Sequence, residues 1–381
     1  MNSSTVLAKP LTTGAWQEEL VFLDGQDYFD SLIADIDRAH YRVRLETYIF
    51  AFDALGRRII AALGRAASRG VKVRVLMDGA GSSDGHHAAR ALEQHGIDVK
   101  IFHPLPWKTK HFRHALAQGP LLVKLFYFIR EINQRDHRKL CIIDEQWLWS
   151  GSLNISATHL PRAVGGGGWR DYGIRVTGSH VATIAGHFDH LWERRPVKLG
   201  RGLFKFYLNN ITDWARRHKN RLLINKIARA KQRIWITSAY FAPSNRVLHA
   251  LKKARRRAVD IRLIVPRHSD ISFFPLLTST YYVDLLRAGI RVFEYIPGIL
   301  HAKALLIDDF CLIGSTNFNH RSFLHDLELD LVLNTAHAKS TLEASFLTDM
   351  DASQEISYQT LNWFKRLSVI GWLPRLLRYW L

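Results

Sequence analysis

Apolar positions along the chain alternate between two periods. Between residues 57 and 69, Ile59, Ile60, Leu63 and Ala66 share one helical face. Gly70 then supplies a helix stop. Residues 71–78 (VKVRVLMD) set Val71, Val73 and Val75 against Lys72 and Arg74, the period of a strand. The same order of elements recurs later. A basic helix is predicted over 245–257 (NRVLHALKKARRR) and a strand over 259–266 (VDIRLIVP). A strand rich in aromatic residues precedes each unit, ETYIF at 46–50 and TSAYF at 237–241.

A second phrase is shared by both halves. HRKLCIIDEQWLWSGSLN (137–154) and HAKALLIDDFCLIGSTN (301–317) each read as a strand, a tight turn and a strand ending in Gly-Ser-x-Asn. The repeat is too long for a solenoid unit, so it is read as duplication of an α/β domain. The predicted units are 20–195 and 206–345, joined by a linker near 194–205 (RRPVKLGRGLFK), with a separate segment at 346–381. Gly70 and His137 are 67 residues apart, Ala258 and His301 only 43. The first half therefore carries an insertion of about 24 residues within 104–134. That stretch starts basic and aromatic and ends apolar, which fits a surface helix packed on the core or a membrane-contacting lid. The four glycines at 165–168 have no strand–GKS–helix context and read as a flexible turn.

Composition narrows the class. The chain has 381 residues, 47% hydrophobic and 23% charged, enough to bury a core. A formal charge of +19 points to an anionic partner: nucleic acid, an acidic membrane surface or a phosphate-bearing substrate. Cys141 and Cys311 are too few for a disulfide framework or a four-thiolate zinc site. The start lacks a signal-peptide pattern, and the most apolar run, 121–129, is short and contains Lys124. A cytoplasmic protein able to sit on a membrane is expected.

The shared phrase carries the chemistry. His137 and Lys139, like His301 and Lys303, are two residues apart and project together from a strand. Asp144 and Asp308 fall near the turn, where the spacing favours holding that turn or a neighbouring chain. Two ammonium groups can neutralise a phosphodiester and stabilise charge on its equatorial oxygens. Ser152, Asn154, Ser315 and Asn317 add neutral donors for the phosphate. One imidazole can attack phosphorus while the other protonates the departing alkoxide and later deprotonates the incoming alcohol. That scheme needs no metal or other cofactor, and no HExxH, EF-hand loop or Cys/His zinc spacing is present. Asp171 (in WRDY) and Glu328 (in HDLELD) are the carboxylates expected to orient the imidazoles.

HRKLCIID and HAKALLID both fit HxKxxxxD, and each is followed by GSxN. On those motifs the chain resembles the phospholipase D superfamily over roughly 20–345. ETYIF, WRDYGIRVTG, SAYFAPS, VPRHSD and GSTNFNHRSFLHDLELDL carry a narrower resemblance to bacterial cardiolipin synthases of the short type, which lack two N-terminal hydrophobic helices. The resemblance implies duplicated α/β/α domains with pseudo-twofold symmetry and one active site between the halves. It implies a phosphohistidine intermediate, with His137 as nucleophile and His301 as acid/base, an order the residues alone do not give. It also counts Asp144 and Asp308 in the catalytic motif. The implied reaction transfers a phosphatidyl group from phosphatidylglycerol to a second phospholipid or alcohol, making cardiolipin. A hydrolase or nuclease built on the same residues is the alternative. Two departures stand out: Asn319 occupies a position where Asp is common, and Ile155-Ser156 lacks the fuller phrase of the second half.

An anionic phospholipid substrate brings a membrane surface with it. The expected location is peripheral, on the cytoplasmic side of the bacterial inner membrane, with no obligatory nucleic acid. In 363–381, Trp372, Leu373, Leu376, Leu377, Trp380 and Leu381 recur at helical spacing beside Arg375 and Arg378. That pattern suits an interfacial helix or a helix docked on the protein's own core. The basic runs at 216–221 and 252–257 fit a solvated face or a nucleic-acid grip.

Overall fold

The computed structural model describes residues 16–82, 85–104, 134–194, 205–359 and 361. The two copies of the helix–strand pattern form two sheets. The first holds β1 (Glu18–Phe22), β2 (Arg42–Thr47), β3 (Lys72–Asp78), β4 (Asp98–Phe102), β5 (Leu140–Ile143), β6 (Trp147–Gly151) and β7 (Gly173–Thr177) in the order β1-β7-β6-β5-β2-β3-β4. The second holds β8 (Tyr207–Asn209), β9 (Arg233–Ser238), β10 (Asp260–His268), β11 (Arg291–Ile299), β12 (Lys303–Ile307), β13 (Phe310–Gly314), β14 (Leu329–Leu333) and β15 (Ser353–Glu355) in the order β15-β11-β10-β9-β12-β13-β14-β8. Matching β2 with β9 and β5 with β12 superimposes the two orders, with β15 as an addition. Parallel β2–β3–β4 and β9–β10–β11 form one wing of each sheet, and antiparallel strands form the other.

Most helices cover the outer faces, and two enter the layer between the sheets. The first half carries α1 (Gly25–Asp37), α2 (Ala54–Ser68), α3 (Gly85–Gln94) and α4 (His180–Trp192). The second carries α5 (Asp213–Arg229), α6 (Asn245–Arg255), α7 (Phe274–Ser279), α8 (Tyr282–Arg287), α9 (His320–Leu324) and α10 (Ala336–Asp351). Capping fixes where several begin. Asp53 accepts the Gly56 amide at the start of α2, and Ser244 accepts the Val247 amide at the start of α6. Gly70 ends α2 with φ +88°, as its place after the helical stripe predicts. At the matching position Ala258 adopts φ +65°, a left-handed conformation that a Cβ disfavours by roughly 1 kcal/mol.

Strand alternation divides the core in three. Cys141 and Ile143 of β5 face the helices of their own half, while Leu140 and Ile142 face the other half. In β12, Leu305 and Ile307 point outward, and Ala304 and Leu306 point into the same central layer. The two halves thus share a core of their own, which α4 and α10 complete.

Two backbone bridges knit the halves beside that core. Asp136 pairs with Leu327, and Arg170 pairs with Leu300. Arg170 also reaches α10, bonding Asp349 at 2.8 Å, and Tyr172 bonds the same carboxylate at 2.5 Å. These contacts correct the expected limit at 345: α10 runs through it, and β15 pairs with β11 at the edge of the second sheet. The first sheet likewise starts at Glu18 rather than at 20. Between β4 and His137 the first half has more than thirty residues, where the second half has only Leu300 between β11 and His301, so the insertion lies there. Its residues 105–133, most of the linker, and the C-terminal stripe at 363–381 fall outside the described residues. Among the described residues, no helix is long and apolar enough to cross a membrane.

Arg138, between the motif's His and Lys, is completely buried and pairs with Glu46 at 2.5 Å and Asp136 at 3.1 Å. Removing one member of a buried ion group leaves uncompensated charge. Arg138→Ala should therefore cost roughly 3–5 kcal/mol of stability, read as a fall in the denaturation midpoint. A midpoint equal to the parent's would refute the structural role.

Candidate active site

The bridges put the two signature motifs face to face. The His137 amide donates to Leu327 O at 3.0 Å, one residue before Glu328. The His301 amide donates to Arg170 O at 2.8 Å, one residue before Asp171. The side chains follow the backbone across the boundary. His137 Nδ1 lies 3.1 Å from Glu328 Oε2, and His301 Nδ1 lies 2.8 Å from Asp171 Oδ1. Each imidazole is thus oriented by a carboxylate of the opposite half. With Nδ1–H donated to the acid, Nε2 of each ring keeps its lone pair. Both rings line one cleft of about 540 Å³, together with Asn154 and Asn317.

The lysines sit beside their histidines. Lys139 Nζ donates to His137 O at 2.6 Å, and Lys303 Nζ donates to His301 O. Tyr48, one residue past the end of β2, so that the strand expected over 46–50 stops short of it, lies 4.9 Å from His137 and 5.3 Å from the Lys139 ammonium. Tyr240, two residues past the end of β9, where the strand expected over 237–241 has already ended, lies 6.3 Å from His301 and 5.9 Å from the Lys303 ammonium. Cations over aromatic faces stay attracted without an anion neutralising them.

Burial sets the protonation of the site. It pushes His137 well below the ordinary imidazole range, helped by Lys139 and Lys303. Burial and then Lys303 push His301 down to about 3. Lys139 is lowered to about 8 and Lys303 to about 7, again chiefly by burial. The carboxylates differ. Burial raises Glu328 above the usual range. Burial also acts to raise Asp171, but His159 and His301 outweigh it and hold it well below that range.

Part of that difference comes from a residue the motifs do not flag. His159 Nδ1 lies 2.6 Å from Asp171 Oδ2, and its Nε2 accepts the Asn154 amide at 3.2 Å. In the second half Ser322 takes this place, accepting the Asn317 amide at 3.2 Å and standing beside Glu328. Both lie five residues after the Asn of GSxN, so aligning the repeats five residues further would have found them. Ring nitrogens of His159 and His301 and an Asp171 oxygen lie within 4.8 Å of one another, close enough to hold a cation. Hydrogen bonds from both Nδ1 atoms to one carboxylate account for that cluster without one.

The remaining expectations are redistributed. Ser152 and Ser315, expected to meet phosphate, turn to the acids instead: Ser152 Oγ donates to Asp171 Oδ1 at 2.6 Å, and Ser315 Oγ donates to Glu328. Both are buried because the Gly-Ser turn packs against the start of the next strand. Asn154 and Asn317 do line the cleft, each accepting a backbone amide through Oδ1, from Ile49 and Tyr240. Asp144 and Asp308, counted in the catalytic motif, lie at the other end of their strands, away from the histidines. Asp144 accepts the amides of His40, Tyr41 and Arg42 at 2.8 Å each. Asp308 accepts those of Lys231, Gln232 and Arg233 at 2.8–3.1 Å. The turn role read from spacing describes them; the catalytic one does not.

The cardiolipin synthase, phospholipase D-like domain family matches this chain over residues 32–192 and 223–350. The chain belongs to that family. A probable cardiolipin synthase of Bacillus subtilis, YwiE, is 29% identical over 91% of this chain and 68% of its own length. A cardiolipin synthase of Listeria innocua is 30% identical over 88% of this chain and 70% of its own. Among solved structures, phosphatidylserine synthase of Haemophilus influenzae is similar in fold, with a TM-score of 0.69 over 96% of both chains at 12% identity. Family membership makes the chain an enzyme of the phospholipase D type.

Removing either turn carboxylate leaves three backbone donors without their acceptor. Asp144→Ala and Asp308→Ala should each cost roughly 1–3 kcal/mol of stability. Their kcat at a temperature where the chain is folded should stay within a few-fold of the parent. A kcat loss of a thousandfold in the folded variant would return these residues to the catalytic set.

Proposed function

We propose that this chain is a phosphatidyltransferase that makes cardiolipin from phosphatidylglycerol through a phosphatidyl-histidine intermediate. The observation that carries the reading is the pair of crossed histidine–carboxylate contacts opening on one cleft, with a lysine beside each ring. The donor phosphate sits between Lys139 and Lys303. Nε2 of His137 attacks phosphorus, forming N–P as the P–O bond to glycerol breaks, and His301 delivers its proton to the leaving oxygen. The hydroxyl of the acceptor then gives its proton to His301 and attacks phosphorus, releasing His137. Cardiolipin results when the acceptor is a second phosphatidylglycerol.

The unequal acids support this order of roles. A carboxylate held ionised, Asp171, favours positive charge on His301, as an acid/base requires. Glu328, raised by burial, favours charge on His137 less and suits a neutral nucleophile. A phosphodiester seated between the lysines places negative charge beside His301, so the proton arrives with substrate. The net charge of +19 supports peripheral contact with the anionic cytoplasmic face of the inner membrane.

The test is incubation with phosphatidylglycerol vesicles, with and without EDTA, and mass spectrometry of the products. Cardiolipin and glycerol in both conditions are expected. Phosphatidic acid alone would mean a hydrolase, and DNA cleavage without lipid products would mean a nuclease. His137→Ala and His301→Ala should each lower kcat by roughly 10²–10⁴-fold or more. With a p-nitrophenyl phosphatidyl ester, whose leaving group needs no proton, His301→Ala should recover nitrophenol release and His137→Ala should not. Recovery in His137→Ala instead would reverse the roles.

A pH prediction follows from the lysines. Lys303 and Lys139 are cationic below about 7 and about 8 and lose their charge above. Phosphate capture weakens with that loss. kcat/KM, which reports the free enzyme, should therefore fall as pH rises from about 7 to 9. A flat profile across that range would contradict it.

A further inference from the structure

We infer that the segment Asp270–Leu276 is a lip that enters the surface of an anionic phospholipid bilayer and leads lipid from it to His301. The inference rests on the lipid reading above and adds where the bilayer is met. Ile271, Phe273 and Leu276 are 36%, 45% and 60% exposed. Ten large apolar side chains are exposed among the described residues, and three of them fall within the six positions Ile271–Leu276. That concentration makes a patch rather than the scattered exposure of an ordinary surface.

The patch is joined to the chemistry. Ile271 and Phe273 line the same cleft as His137 and His301. Behind Phe273 a wall of rings runs inward: Phe274 at 6.0 Å, Tyr240 at 4.7 Å from Phe274, and His301 at 6.3 Å from Tyr240. An acyl chain or glycerol backbone leaving a bilayer would meet aromatic surface along this path, ending where the phosphate must be. The lip is held at both ends. The Tyr240 hydroxyl donates to Asp270 at 2.7 Å, and the Thr278 hydroxyl donates to Phe241 O at 3.1 Å. It therefore presents its apolar side chains from a fixed base.

Charge selects the occupant. Arg267 and His268, exposed at the end of β10, precede the lip, and the chain as a whole carries +19. Apolar tips beside cations, on a strongly basic protein, fit an anionic lipid surface. A second copy of this chain would bring the same positive charge to the contact.

The experiment uses the full chain. Cys141 and Cys311 are both buried, so Ser272→Cys gives one accessible thiol for an environment-sensitive nitrobenzoxadiazole label. With phosphatidylglycerol vesicles the label should brighten and shift to the blue; with phosphatidylcholine vesicles it should change little. Replacing Ile271, Phe273 and Leu276 together by Ser should weaken sedimentation with phosphatidylglycerol vesicles by roughly 10- to 100-fold. Leu276→Ser alone, outside the cleft, should lower turnover on vesicles while leaving turnover on monomeric dihexanoyl-phosphatidylglycerol within twofold.

An unchanged label and unchanged sedimentation of the triple variant would overturn the inference. So would a change in oligomeric state of the triple variant without a change in vesicle binding, which would assign the patch to a second copy. Equal loss by Leu276→Ser on monomeric and vesicular substrate would assign it to the fold. These readouts concern binding. A parent protein that inserts the label yet forms no cardiolipin would refute the proposed reaction and leave the lip standing.

Discussion

The structure depends on a trade across the boundary between its halves. The chain entering each histidine motif forms backbone bonds with the segment that carries the other half's acid. The Asp136–Leu327 and Arg170–Leu300 bridges set the distance between motifs, and the imidazole–carboxylate contacts sit one residue further along. A rotation of one sheet against the other would therefore break backbone pairing, orient both rings wrongly and open the shared core at once. That coupling ties the placement of both rings to the fold itself, and fixed placement of the reacting groups is what phosphoryl transfer asks of a protein.

Within this symmetric frame one pair of matched positions differs in chemistry. His159 and Ser322 both cap the Asn of their own GSxN turn and both touch the local acid. One brings an imidazole to Asp171 and the other a hydroxyl to Glu328. Burial is nearly complete for both acids; His159 and His301 together hold Asp171 down, while burial keeps Glu328 raised against Lys219 and Lys139. The fold supplies two matched nests, and their linings differ in chemistry.

Much of this was legible in the sequence because it is local. The alternation of VKVRVLMD and VDIRLIVP gave β3 and β10, and the HxK spacing put a lysine beside each histidine. The turn role of Asp144 and Asp308 followed from an odd offset, and three backbone donors at each confirm it. What the sequence hid is long-range. Asp171 and Glu328 were recognisable as orienting acids, but which ring each would meet depends on pairing between residues 130 or more apart. Ser152 and Ser315 were misread because a hydroxyl in a turn offers the same chemistry to a phosphate and to a buried carboxylate; only the packing of the turn decides. The boundary at 345 failed for a similar reason: the visible repeat ends there, but the sheet recruits β15 and Arg170 of the first half holds Asp349.

Crossing has a consequence for assembly. A separate half would own a histidine without its carboxylate and a carboxylate without its histidine. Two identical halves meeting in solution could complete each other, but only at concentrations that keep them together, and both sides would be the same. Covalent linkage replaces that encounter with a high effective concentration. It also releases the copies from identity, so that one position can become His159 while its counterpart stays Ser322. Fusion is thus what allows a twofold device to become unlike on its two sides.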